Sequence, residues 1–146
     1  MSLATSFGSA EESPGLLLWQ VTNRWQAAQR AALRPHGLTH VQFVLLASLT
    51  YLQDSDSPVT QRRLADHAAT DPMMTSQVLR TLESRGLLTR HAHPGDARAR
   101  ALAVTTEGRD VANRAVSSVE ACDASFFSPL GPETAPFAAA LRTLRQ

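Results

Sequence analysis

Between Thr60 and Val104 three short units follow one another with almost no linker, and that order restricts the fold more than any other feature. Thr60 is placed to cap a helix carrying Leu64 and Ala65 that runs to about His67. Asp71-Pro72 then opens a second helix, with aspartate at the cap and proline in the first turn, where its missing N–H costs nothing. Met74, Val78 and Leu82, with Leu79, supply the buried stripe of this helix, which stops at Gly86. Residues 87–91 read as a strand, 93–100 as a polar turn containing Pro94 and Gly95, and 101–104 as a returning strand. A helix of this size fits the major groove of duplex DNA, and a basic hairpin beside it can reach the neighbouring minor groove or backbone. The second helix leaves Met73, Ser76, Gln77 and Arg80 outward, hydrogen-bonding types among them and no acid. A polar solvated face is the alternative reading of the same residues.

Longer helices flank this unit. Across residues 14–34 the positions Leu18, Val21, Trp25, Ala28 and Ala32 step by three and four, one face of a long helix opened by Pro14. Pro35-His36-Gly37 ends it. At the next helix start Thr39 can cap the backbone while Gln42 reaches back, and Leu38 can staple onto Phe43. Val41, Leu45, Leu49 and Leu52 form its buried stripe. Beyond Thr105, Val111, Ala115, Val119 and Cys122 or Phe126 share a helical face. Pro129-Leu130-Gly131-Pro132 interrupts it, and Phe137, Leu141 and Leu144 lie on a last short helix. The expected fold class is therefore mainly α with a small β-hairpin, an α+β chain.

The 146 residues suffice for one domain with a real core, and 43% hydrophobic with 18% charged residues excludes a disordered chain. Residues 1–13 show no basic start followed by an apolar stretch and read as a flexible tail, with residues 14–146 as a single domain. The apolar run 43–46 is far too short for a bilayer, so no membrane is expected. One cysteine, Cys122, cannot form an internal disulfide, which suits a reducing cytoplasm. Net charge is +1, but residues 58–100 hold seven arginines against four acids, an excess of three, while the rest of the chain is two negative. A locally basic middle is what phosphate contacts need, although mild clusters of this kind also occur as solvated faces. The chain has no lysine.

Gly37-Leu38-Thr39-x-x-Gln42-Phe43, Leu64-Ala65, Met74-Thr75, Leu82-Glu83-x-x-Gly86-Leu87, Asp96-x-Arg98 and Thr105-x-x-Gly108 together resemble the MarR family of winged helix-turn-helix regulators. The likeness spans about residues 16–126 and lies in order and spacing rather than in any single element. It implies a homodimer in which helices of residues 14–35 and 105–146 interlock. Two winged lobes, about residues 39–104, would then meet successive grooves of a pseudo-palindromic operator as a transcriptional repressor. It further implies that residues 72–80 begin the recognition helix and that Asp96 orients Arg98 at the wing tip. The alternative for that pair is a turn-stabilising ion pair without DNA contact. The expected DNA-contacting set is Thr60, Arg62, Met73, Thr75, Ser76, Gln77, Arg80, Arg90, Asp96, Arg98 and Arg100.

Many members of this family release DNA when a small aromatic compound enters a cleft between dimer base and lobe. Trp19, Trp25, His40 and Phe43 could line such a cleft, or could equally be core or interface. His91, His93 and Asp96 could ligate zinc, yet they fall in the wing without a helical His-x-x-x-His pair, so no metal and no cofactor is expected. Cys122 reads as a buried inert thiol rather than a peroxide sensor. No nucleophile motif, phosphate-binding glycine loop or paired carboxylates point to an enzyme. The reading from a different class is a winged helix that binds protein rather than DNA.

Overall fold

The protein is described by a computed structural model covering residues 2–55 and 57–146, with side chains for all of these except 96–99. The first long helix, α1 (Pro14–Leu33), starts where the Ser13 hydroxyl accepts the Leu16 N–H and Pro14 fills the first position. Gly37, at φ +68°, reverses the chain into α2 (His40–Gln53). The capping box at this start is complete: the Gln42 N–H donates to Thr39 Oγ1 and the Thr39 N–H to Gln42 Oε1. Phe43, Leu45, Leu46, Leu49 and Leu52 are all buried, so α2 is apolar around most of its circumference and forms the centre of the core. Leu38 and Phe43 are both buried in that cluster.

Around α2 stand β1 (Val59–Thr60), α3 (Gln61–Ala68), α4 (Pro72–Ser84), β2 (Leu88–His93) and β3 (Asp96–Val104). The three strands form an antiparallel sheet in the order β1-β3-β2, with Val59 opposite Leu102 and Arg90 also opposite Leu102. The hairpin is longer than the expected strands at 87–91 and 101–104: pairing continues to His93 and resumes at Asp96, with an irregularity at Ala92/His93. Alternating backbone hydrogen bonds carry a strand through polar residues as readily as apolar ones, so the polar run 93–100 joins the ladder at Asp96, opposite His93, and at Arg100, opposite Ala92. Strand β1 was not expected at all, being two residues long with no alternation of its own.

The chain returns through α5 (Thr106–Phe127), capped by the Thr105 hydroxyl, which accepts the Gly108 N–H at 3.0 Å. A short 3-10 segment, Ser128–Glu133, bends at Gly131 and leads to α6 (Thr134–Arg145). Helix α5 packs against α1 and α2, which places the winged lobe on a base made of α1, α5 and α6. Along this base Leu17, Leu18, Val21, Leu141 and Leu144 stay exposed, Leu144 at 74%, and α6 buries none of its residues. No described helix is long and apolar enough to cross a membrane.

Candidate nucleic-acid interface

Helix α4 is fixed at its start by Asp71, whose carboxylate accepts the Met74 N–H at 2.9 Å, with Pro72 in the first turn. Its inward stripe is Thr75, Leu79 and Leu82, with Val78 half-buried. This corrects the expected stripe by one position at the N-terminal end: Met74 is 39% exposed and Thr75 fully buried. The Thr75 hydroxyl donates to the Asp71 carbonyl at 2.8 Å, which leaves Thr70 to donate to Thr75 at 2.6 Å. With its hydroxyl satisfied inside the fold, Thr75 has no atom left for DNA and is withdrawn from the contacting set. Met73, Gln77 and Arg80 are exposed on the opposite face and Ser76 is half-buried beside them.

Helix α3 presents Arg62 outward, while its cap Thr60 accepts the Arg63 N–H at 3.1 Å. Arg63 lies back on the preceding loop through the Ser57 carbonyl and Ser55 hydroxyl. Arg90, expected at the DNA, is an internal brace instead. Its Nε meets Glu83 of α4 at 3.3 Å and its Nη1 donates to Gln61 of α3, tying β2 to both helices, while Nη2 is buried with no partner among the described residues. A guanidinium spent this way is not free for phosphate. Arg100 is exposed on β3. The side chains of Asp96 and Arg98 lie outside the described residues. His93 Nδ1 accepts the Gly95 N–H and His91 bonds Thr89, and among the described residues no three potential ligands gather around a metal site.

At the joint of base and lobe, Asp123 of α5 accepts from Trp25 Nε1 at 2.8 Å and from Gln29 Nε2 at 2.7 Å, both on α1. The Trp25 ring meets His40, the first residue of α2, edge-on at 5.0 Å. Burial outweighs the pull of Asp123 and, with Arg30, holds the His40 pKa below its ordinary value. Of the four aromatic candidates two are in contact. Trp25 and His40 touch, Trp19 stands 69% exposed on α1, and Phe43 is 7% exposed within the core, which corrects its placement at a ligand. Burial first, and Asp123 second, push the Cys122 thiol up. Asp123 and Gln29 escaped the sequence reading, although each is a polar residue at a core-facing step of an apolar helix stripe. An apolar groove of about 360 Å³ runs between α1 and α6, lined by Leu17, Leu18, Val21, Phe137, Leu141 and Leu144 among others.

A helix-turn-helix whose second helix turns an acid-free polar face outward, beside an arginine-bearing hairpin, defines the winged helix-turn-helix class of DNA-binding regulators. A model of the MarR family matches residues 38–99. The chain is 41% identical over 128 residues to the HTH-type transcriptional regulator YdcH of Bacillus subtilis, covering 88% of this chain and 87% of that one. It is 37% identical over 131 residues to the HTH-type transcriptional repressor Rv2887 of Mycobacterium tuberculosis, 88% of each chain. The chain belongs to the MarR family. Rv2887 solved with DNA matches at a TM-score of 0.68 and 31% identity, over 90% of this chain and 97% of that one. BpsR of Bordetella bronchiseptica, whose DNA binding is regulated by 6-hydroxynicotinic acid, matches at a TM-score of 0.85 and 25% identity, over 96% and 97%.

Proposed function

We propose that this protein is a homodimeric transcriptional repressor that reads a pseudo-palindromic operator with α4 and is released by a small aromatic effector. The observation that carries it is the outward face of α4, where Gln77 and Arg80 stand exposed on a helix whose other face is locked into the core. Gln77 suits adenine and Arg80 guanine or phosphate; Ser76, Met73, Arg62 and Arg100 flank them, and Asp96 with Arg98 supplies the wing tip. The apolar groove between α1 and α6 supports dimerisation through residues 14–35 and 105–146, because so many exposed leucines on one face need a second chain. The effector is placed near Trp25 and His40, with support from relatives whose names join them to salicylic and 6-hydroxynicotinic acids. The chain acts as a regulator rather than a catalyst, in the cytoplasm, with residues 1–13 outside its domain.

Site selection from random duplexes tests the reading. Wild type is expected to return two half-sites about 10 base pairs apart. Gln77→Ala should change the preferred base at one position of each half-site, at about 1–3 kcal/mol. Identical motifs from both proteins would remove Gln77 as a base reader. Exposure of Met73 at 77% favours a second reading, a protein-binding surface. Gel shifts at two salt concentrations separate the two, since phosphate contacts weaken steeply with salt.

A further inference from the structure

The winged lobe leaves the helical base at Gly37-Leu38-Thr39 and rejoins it at Val104-Thr105-Thr106. Both crossings meet the same short stretch, the residues that end α4. Arg85, its C-terminal cap, donates from Nη1 to the Gly37 carbonyl at 2.9 Å and lies 3.4 Å from Gln42 Oε1, itself part of the α2 capping box. The Thr105 hydroxyl donates to the Gly86 carbonyl at 2.7 Å and the Thr105 N–H to the Leu87 carbonyl at 3.1 Å. Gly86 turns the chain at φ +75°, where a side chain would be strained. The end of α4 thus sits in a collar made of the two hinges. One half of that collar, at the β3–α5 crossing, is backbone and a helix cap. At the other half the hydrogen bonds among the described residues come from one side chain, Arg85.

We propose that Arg85 is a positioning residue that sets the angle of the recognition helix against the dimer base, and so the operator half-site spacing the dimer accepts. This rests on the reading of α4 as the DNA-reading helix. The lever makes the effect large. Helix α4 has 13 residues, about 20 Å at 1.5 Å per residue. Because Thr75, Leu79 and Leu82 lock its inner face, it moves with the lobe as one body, which Arg85 ties to the base at the end remote from the groove-entering Pro72 turn. A pivot of the lobe by about 10° at Arg85 sweeps that turn through about 3.5 Å, close to one base-pair step. Two such helices in a dimer would then fit several spacings instead of one. A guanidinium suits the task because the two N–H bonds of its Nη1 lie in a fixed plane and serve both acceptors, while its charge also favours the carboxyl end of a helix.

The experiment uses the full-length protein. Its half-site motif, selected by wild type from random duplexes, is rebuilt into three duplexes: the selected spacing, one base pair shorter and one longer. Affinities of wild type, Arg85→Ala and Arg85→Lys are read by fluorescence anisotropy at one salt concentration. Wild type should favour the selected spacing by about tenfold over either neighbour, and Arg85→Ala by less than about threefold with unchanged half-site base preferences. Arg85→Lys keeps the charge and N–H donors but not the planar geometry and should recover part of the ratio. Mere stabilisation of the helix end would weaken all three duplexes by a common factor, so an Arg85→Ala protein with the wild-type ratio overturns the proposal. So does a wild type that selects half-sites without a preferred spacing. A wild type that selects no motif overturns the DNA reading of α4 itself. Should Arg85→Ala fail to fold, the spacing ratio is measured on Arg85→Gln and Arg85→Lys instead, where a reduced ratio supports the proposal and a wild-type ratio in both overturns it.

Discussion

In the first turn of a helix a change from glycine to alanine ordinarily stabilises, by as much as about 1 kcal/mol, because alanine loses less backbone freedom on folding. At Gly108 the packing reverses that sign. A Cβ built there would overlap the Leu87 carbonyl oxygen and fall 2.8 Å from the carbonyl carbon, about 1 Å short of ordinary contact. Leu87 cannot step aside cheaply, since it is 2% exposed in the core and its carbonyl accepts the Thr105 N–H that starts α5. Forced overpacking costs about 1–3 kcal/mol, and loss of that hydrogen bond about 1 more. Set against the propensity gain, Gly108→Ala should destabilise by about 1–3 kcal/mol and lower Tm by roughly 3–10 °C for a chain of this size. Thermal unfolding at one fixed protein concentration measures it, because dimer stability depends on concentration. An unchanged or raised Tm would show that the close approach of α5 to Leu87 is not what holds this junction.

Thr75→Val keeps the volume and the Thr75 N–H bond to the Asp71 carbonyl but leaves the Thr70 hydroxyl without its partner, so it should cost about 1 kcal/mol in denaturant unfolding while the selected DNA motif stays the same. A shifted motif would return Thr75 to the contacting set. Leu18→Asp in the α1–α6 groove should convert the dimer to a 15.8 kDa monomer in sedimentation, and an intact dimer would place the interface elsewhere. His40 has a folded pKa below the ordinary 6.5, so the unfolded chain takes up its proton first. Its contribution to stability is present above about pH 6.5 and lost as pH falls through the folded pKa. Wild-type Tm should therefore drop from pH 7.5 to 5.5 by more than that of His40→Gln, and equal drops would mean His40 is not the group responsible.

Elements closed within a few residues could be read from the sequence, and elements completed by a distant partner could not. The caps at Thr39, Thr60, Asp71 and Thr105 join a side chain to a backbone N–H three residues on, so the helix starts were legible without the fold. The order of helices and hairpin, and with it the family likeness, followed from those starts. Strand β1 exists because β3 lies beside it, and its two residues carry no pattern of their own. Arg90 looked like a phosphate ligand until Gln61, 29 residues earlier, and Glu83 were seen to hold it. Met74 and Thr75 exchanged faces because a buried hydroxyl is tolerable once Thr70 and Asp71 satisfy it, a bond pattern that hydrophobicity does not report. Asp123 found Trp25 and Gln29 across 98 and 94 residues. The sequence by itself determined where each helix begins and which unit follows which, since those hydrogen bonds close locally. Only the tertiary structure decided which polar groups are spent inside and which are left for DNA, because that depends on partners the chain meets only after it has folded.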